Sequence, residues 1–227
     1  MIIMSSWNNL KPHFRDKGAL PFLPKPIAEP VFQPTFKPLE PLKPLPPVKP
    51  VQDYSPPPLN VAEFCIKPIR YLEIGTQQGL NLLTVAGSYA AHPGSQVHCI
   101  GEWKDFDSHF QENGHQSSSF DIFLEMVELS EHKHKIMIHR GASFKMIPTL
   151  EDESFDIIYI SGTYDANQVL EEAVLSFRKL KKGGVLIFDN YTKSEYVQKG
   201  IDGFLISYYK QIMPMGVRGG QMTIRKK

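Results

Sequence analysis

Apolar positions after about residue 60 switch repeatedly between short continuous runs and stripes spaced three and four residues apart. Ile69-Arg70-Tyr71-Leu72-Glu73-Ile74 is a β-rich run closed by Gly75, and Leu82, Leu83, Val85, Ala86 and Tyr89 then follow at helical spacing. This reads as strand, tight turn, helix. Residues 97–100 form the next strand, a polar and aromatic stretch runs to about residue 116, and a helix presents Phe120, Phe123, Leu124, Val127 and Leu129. Residues 135–139 alternate as a third strand, and Phe155-Asp156-Ile157-Ile158-Tyr159-Ile160 has the nearly continuous pattern of a strand covered on both faces. A helix over about 166–180 is ended by Lys182-Gly183-Gly184, and residues 185–188 give a fifth strand. A further helix over 195–213 carries Ile201, Phe204, Leu205 and Tyr208 on one face, and two short strands flank Gly219-Gly220 as a hairpin. Strands alternating with helices require right-handed crossovers. The expectation is an α/β, doubly wound, mostly parallel sheet of seven strands, closed by an antiparallel hairpin.

Residues 1–59 follow another rule. Fifteen of the 19 prolines fall there. Pro38, Pro41, Pro44, Pro47 and Pro50 recur every third residue, with Leu39, Leu42, Leu45, Val48 and Val51 one place later. Polyproline II has three residues per turn, so each series forms one ridge of a rod about 45 Å long. Residues 1–59 are therefore expected as an extended arm and 60–227 as the folded domain. The arm is either a semi-rigid spacer or a docking rod whose aliphatic ridge, with Phe14, Phe22, Phe32 and Phe36, engages a protein partner. Its overlapping P-x-x-P units also match SH3-type ligands, a pattern frequent by chance.

The 25 basic and 24 acidic side chains nearly cancel, so charge implies no nucleic-acid partner. Cys65 and Cys99 each sit in an apolar run, as small buried hydrophobes do, which suggests neither a disulfide framework nor a metal cluster. No apolar run is long enough to span a bilayer. A soluble, intracellular, cytoplasmic protein without membrane contact is expected, with a place in a larger assembly if the arm docks.

Glu73-x-Gly75-x-x-x-Gly79 follows a strand and opens a helix, the context that gives a glycine pattern meaning. Gly75 permits a sharp turn and close backbone approach, and the helix starting at Gly79 directs free N–H groups to the same place. The G-x-G-x-x-G spacing that suits a pyrophosphate is absent. An acid on the strand beside such a turn suits a ligand with an amino group and a carboxylate, a description that fits S-adenosylmethionine.

Four blocks then occur in a familiar order: Tyr71-Leu-Glu-Ile-Gly-Thr-Gln-Gln-Gly79, Arg140-Gly-Ala-Ser143, Phe155-Asp-Ile-Ile-Tyr-Ile-Ser-Gly162 and Leu180-Lys-Lys-Gly-Gly-Val-Leu-Ile-Phe-Asp-Asn190. From about residue 60 to 227 the chain resembles the class I S-adenosylmethionine-dependent methyltransferases, in particular their small-molecule O-methyltransferase-like branch. The resemblance implies a Rossmann-like sheet and a cofactor held by Glu73, Gly75, Thr76, Gln77 and Gly79, with Ala142 and Ser143 bordering the adenine. The ribose acid that relatives carry at the end of the second strand is Gly101 here, which leaves Glu102, one residue on, to serve. Relatives end the fourth strand with an aspartate; this chain has Ser161-Gly162-Thr163-Tyr164. Asp189-Asn190 resembles the remaining ligand pair of metal-dependent members. With one hard ligand turned into a hydroxyl, a divalent metal is not expected, unless Asp165 takes that place from the loop.

Asp189 is the expected base, with Asn190 as its catalytic neighbour, Tyr164 or Lys193 could also take a proton from an acceptor hydroxyl, and Ser161 is expected beside the cofactor. Trp103, Phe106 and Phe110 either wall the substrate pocket or are buried beneath a loop. His132-Lys133-His134 reads as a solvated connection. Two functions follow: methyl transfer to an oxygen of an unidentified small-molecule or protein acceptor, or a catalytically degenerate adaptor attached through its arm.

Overall fold

A computed structural model describes residues 59–103 and 118–227 of the 227-residue chain. The arm expected over 1–59, apart from Leu59, lies outside the described residues, as do Phe106 and Phe110.

Among the described residues the helices and strands, in chain order, are α1 (Val61–Phe64), β1 (Arg70–Ile74), α2 (Leu80–Gly87), β2 (Gln96–Gly101), α3 (Ser119–Leu129), β3 (Ile136–Arg140), α4 (Ser143–Met146), β4 (Phe155–Ile160), α5 (Ala166–Lys179), β5 (Leu180–Phe188), α6 (Glu195–Tyr208), β6 (Ile212–Arg218) and β7 (Gln221–Lys226). The strands form one seven-stranded sheet in the order β3-β2-β1-β4-β5-β7-β6. β1 to β5 pair in parallel, and β7 joins β5 and β6 antiparallel. This is the doubly wound, mostly parallel architecture that the alternating pattern requires.

Strand periodicity sorts the core into two layers. Leu72, Ile74, Ile158, Ile160, Leu186 and Phe188 pack with Val169, Ala173, Phe177, Ile201 and Phe204 of α5 and α6. Tyr71, Val97, Cys99, Ile157, Tyr159, Val185 and Ile187 pack with Leu82, Val85, Phe123 and Val127 of α2 and α3. Because successive strand side chains alternate faces, Glu73 must enter the second layer beside Tyr71.

Several boundaries differ from expectation. Lys182-Gly183-Gly184 does not precede β5 but lies within it: the pairing with β4 jumps from Phe155–Leu180 to Ile157–Val185, and Gly183 takes φ +76° in the resulting bulge. α6 stops at Tyr208 because Ile212 and Met213 are recruited into β6, opposite Lys226 and Arg225. Leu129 is 80% exposed although it continues the apolar spacing of α3. Lys135 belongs to the turn before β3. Its buried Nζ donates to the carbonyls of Ala86 (3.3 Å), in the last turn of α2, and Ala90 (2.8 Å), just beyond it.

Lys135 thus satisfies backbone acceptors that the helix leaves open. Replacing it with methionine strands them away from water, so urea unfolding of Lys135→Met should show a loss of about 1–3 kcal/mol. The neighbouring Lys133 makes only an exposed pair with Glu128, and Lys133→Ala should stay within about 0.5 kcal/mol of wild type in the same measurement.

Candidate functional site

The carboxyl ends of β1, β2, β3 and β4 border a cleft of about 480 Å³, within the size range of small-molecule sites. Its walls include Gly75 and Gln77 from the β1 turn, Glu102 and Trp103 after β2, Gly141 and Ser143 after β3, Gly162 after β4, and Glu172 from α5. Gly75, Gln77, Glu102 and Ser143 were expected at a cofactor site and are brought together here. Glu73, Thr76, Gly79, Ala142 and Ser161 do not line it.

The turn is held by backbone proximity. Gly75 has φ +88°, and a Cβ on it would lie 2.2 Å from the Cα of Gly162. Its N–H donates to the carbonyl of Ile100 at 2.9 Å, while Ser161 N–H donates to the carbonyl of Ile74 at 2.9 Å. Gly75 is therefore demanded by the β4 exit pressed against it. Gly79, φ +86°, sits under the ring of Phe123, whose Cδ2 would be 2.6 Å from an added Cβ.

Glu73 is only 2% exposed. Its Oε2 accepts from the Tyr71 hydroxyl (2.9 Å) and from Asn81 Nδ2 (2.6 Å). Burial pushes its carboxyl up to about 7, against the opposing pull of the Tyr71 and Asn81 hydrogen bonds. The carboxylate braces β1 against α2 from inside the sheet layer.

Trp103 leaves no space for a side chain at residue 101. Its indole stacks on Phe123 with ring centroids 5.0 Å apart, and Nε1–H donates to the carbonyl of Gln77 at 2.6 Å. An added Cβ at Gly101 would lie 2.7 Å from this indole. A side chain at 101 would collide with it, and Glu102 lines the cleft in its place.

On the opposite wall the Ser143 hydroxyl donates to Glu172 Oε1 at 2.6 Å. Glu172 is 2% exposed, and its Oε2 has no hydrogen-bond partner. Burial raises this carboxyl to about 7; Ser143 and Gln168 oppose the rise and the Glu171 carboxylate adds to it. Glu172 carries no motif. Its signal in the sequence is an acid set among Val169, Ala173, Ser176 and Phe177, the stripe that α5 buries.

Asp189 lies at the end of β5, beside the cleft. Its Oδ2 accepts from Ser161 Oγ (3.2 Å) and its Oδ1 from Gln221 Nε2 (3.3 Å), and Gln221 also donates to the Tyr159 hydroxyl at 3.1 Å. Ser161, Asp189 and Asn190 border a narrow space of about 10 Å³ that shares Gly162 with the main cleft. Asn190 adopts φ +58°. Tyr164 is 62% exposed and lines neither space. Asp165 caps α5, its Oδ1 accepting from the N–H groups of Asn167 (3.0 Å) and Gln168 (3.1 Å). Among the described residues no cluster of three or more His, Cys, Asp or Glu is placed to hold a metal ion, and no helix is long and apolar enough to cross a membrane.

Glu73 and Glu172 are both raised from an ordinary value of 4.5 to about 7. Between those limits the folded chain binds more protons than the unfolded one, so stability falls as pH rises through the window. Thermal melting should show a lower Tm at about pH 8 than at about pH 5, and Glu172→Gln should flatten that slope by about 3 °C or more.

Known proteins share this arrangement. A family model described as "Methyltransferase domain" matches residues 72–191. No curated protein matches the chain. Among solved structures, cofactor-bound Rv0187 from MTB is 16% identical, with TM-score 0.56 over 73% of this chain and 76% of its own. The O-methyltransferase NovP is 13% identical, with TM-score 0.54 over 74% and 76%. The O-methyltransferase TomG from Streptomyces achromogenes, in complex with SAM, is 17% identical, with TM-score 0.50 over 70% and 73%. At these identities the likeness is one of fold, and the matched span runs from the second residue of the glycine-turn block to just past Asp189-Asn190. Sheet order, turn and sequence agree, and the chain belongs to the methyltransferase-domain family.

Proposed function

We propose that this domain transfers a methyl group from S-adenosylmethionine to an acceptor hydroxyl. The observation that carries the reading is the cleft across four parallel strand ends, which combines a glycine-built turn, an acidic side chain at Glu102 and a small-residue wall at Gly141, Ser143 and Gly162. Open α/β sheets bind ligands at such carboxyl-end crevices. The residues fit the cofactor. The α2 amino terminus, approached through Gln77 and Gln78, offers backbone N–H groups and a partial positive charge to a carboxylate. Glu102 supplies an acceptor for ribose hydroxyls. The structures of SAM-bound TomG and cofactor-bound Rv0187, which share this fold, support the assignment.

Bound S-adenosylmethionine supplies an activated methyl carbon on a sulfonium. The chain's own contribution is largely positioning, since holding donor and acceptor in line removes much of the entropic barrier. Asp189 is the base of this reading. Ser161 and Gln221 fix its carboxylate from two sides, leaving it oriented at a strand end next to Gly162, the residue that also borders the cleft. An acceptor hydroxyl entering there would lose its proton to Asp189, a contribution of about 10²–10⁴ in rate.

Calorimetric titration with S-adenosylhomocysteine tests the reading. Wild type should bind in the micromolar range; Glu102→Ala should bind about tenfold more weakly, and Asp189→Asn should bind within about twofold of wild type because it lies outside the cleft wall. Gly75→Ala should bind nothing, as its Cβ cannot coexist with Gly162. An absence of heat with wild type at millimolar ligand would overturn the proposal.

A further inference from the structure

The amino-terminal edge of the parallel strands, opposite the cleft, carries a second concavity of about 880 Å³ between the carboxyl ends of α5 and α6, the start of β5 and the end of β7. No residue borders both spaces. Helix carboxyl ends favour cations, and α5 duly carries Arg178 and Lys179 in its last turn. Cations that serve stability alone would be matched by the acids nearby. Four acids at this edge are each held by a cation: Glu151 by Arg70 (2.9 Å), Asp152 by Lys179 (2.6 Å), Glu153 by Lys226 (3.3 Å) and Asp156 by Lys181 (2.8 Å).

Arg178, Lys182 and Lys210 are left over. All three are exposed and line the groove, and none makes an ion pair among the described residues. Lys182 stands in the β5 bulge next to Gly183, where the chain leaves its register with β4. The exposed carboxyl of Asp152 registers the surplus: Lys179 chiefly holds it below the usual carboxylate range, and Arg178 and Lys226 add to the pull. The near balance of 25 basic and 24 acidic side chains over the whole chain hides this local excess, and a local excess is what attracts a polyanion.

The groove also offers flat apolar surface. Tyr208 lines it, its ring stacked on Phe204 at 4.7 Å and edge-on to Phe177 at 5.0 Å. Tyr209 follows, 64% exposed, with Lys210 Nζ 5.7 Å from its ring centre. A carboxylate-rich peptide would use only the cations. Single-stranded nucleic acid uses both features, since its phosphates need cations and its unpaired bases stack on aromatic rings. We propose that this groove binds single-stranded nucleic acid, the phosphodiester backbone meeting Arg178, Lys182 and Lys210 while a base stacks on the tyrosine pair Tyr208-Tyr209. The site lies at the other edge of the sheet from the cleft, so it stands or falls independently of the cofactor reading.

Fluorescence anisotropy of the full chain with a labelled oligouridylate of about 12 nucleotides tests the assignment. Wild type should bind in the micromolar range at about 50 mM salt and lose about 15-fold by about 200 mM, because three phosphate contacts on a single strand give a log–log slope of about −2. The combined variant Arg178→Gln, Lys182→Gln, Lys210→Gln changes only exposed side chains and should melt like wild type; it should bind at least about tenfold more weakly, with a flattened salt dependence. Lys133→Gln, on the turn before β3, should stay within about twofold of wild type. Tyr209→Ala should cost about fivefold or more, and an oligoglutamate of equal charge should bind more weakly than the oligouridylate by a similar factor. No binding by wild type at about 50 mM salt overturns the proposal, as does a folded triple variant that binds like wild type. Equal affinity for oligoglutamate also overturns it and would make the groove a dock for an acidic protein instead.

Discussion

Where β1 and β4 leave the sheet, their backbones lie so close that no side chain fits between them. A Cβ at Gly75 would reach within 2.2 Å of Gly162 Cα, and one at Gly162 would come to 3.3 Å from Gly75 Cα. Paired hydrogen bonds fasten the same corner, from Gly75 N–H to Ile100 and from Ser161 N–H to Ile74. The cleft floor, the direction in which α2 departs and the position of Ser161 beside Asp189 all follow from this contact. Parallel strands bring their carboxyl ends to one edge of the sheet, and the glycine pair lets two of those ends touch.

Two buried carboxyls lie in opposite layers of this arrangement. Glu73 enters the α2 side, where Tyr71 and Asn81 donate to it, and Glu172 enters the α5 side with Ser143 and one unmatched oxygen. Burial raises both to about 7, but their surroundings give them different work. Glu73 is enclosed by protein donors and ties β1 to α2. Glu172 is incomplete and borders open space. A desolvated group left half satisfied is a stability cost that a bound donor removes.

Much of this was legible in the sequence because it depends on short-range patterns. The five parallel strands announce themselves as β-rich runs, the glycine turn sits between strand and helix, and Gly219-Gly220 marks the closing hairpin. What could not be read depends on partners distant in the chain. Ile212 and Met213 continue a helical stripe by spacing, yet strand pairing with β7 claims them. The start of β5 is hidden because Lys182-Gly183-Gly184 looks like a terminator when the bulge it forms is specified by β4. Gly101 looks like a lost acid until Trp103 is found packed against it. Asp165 could have been recognised, since an aspartate directly before a helix is a capping signal.

Trp103 has a practical consequence. Only one other tryptophan occurs in the chain, Trp7, so replacing Trp7 with phenylalanine leaves a single native fluorophore. That indole is stacked on Phe123, hydrogen-bonded through Nε1 to Gln77 and set in the wall of the cleft. Its emission is a built-in optical probe of whatever enters beside the turn, readable without label or acceptor.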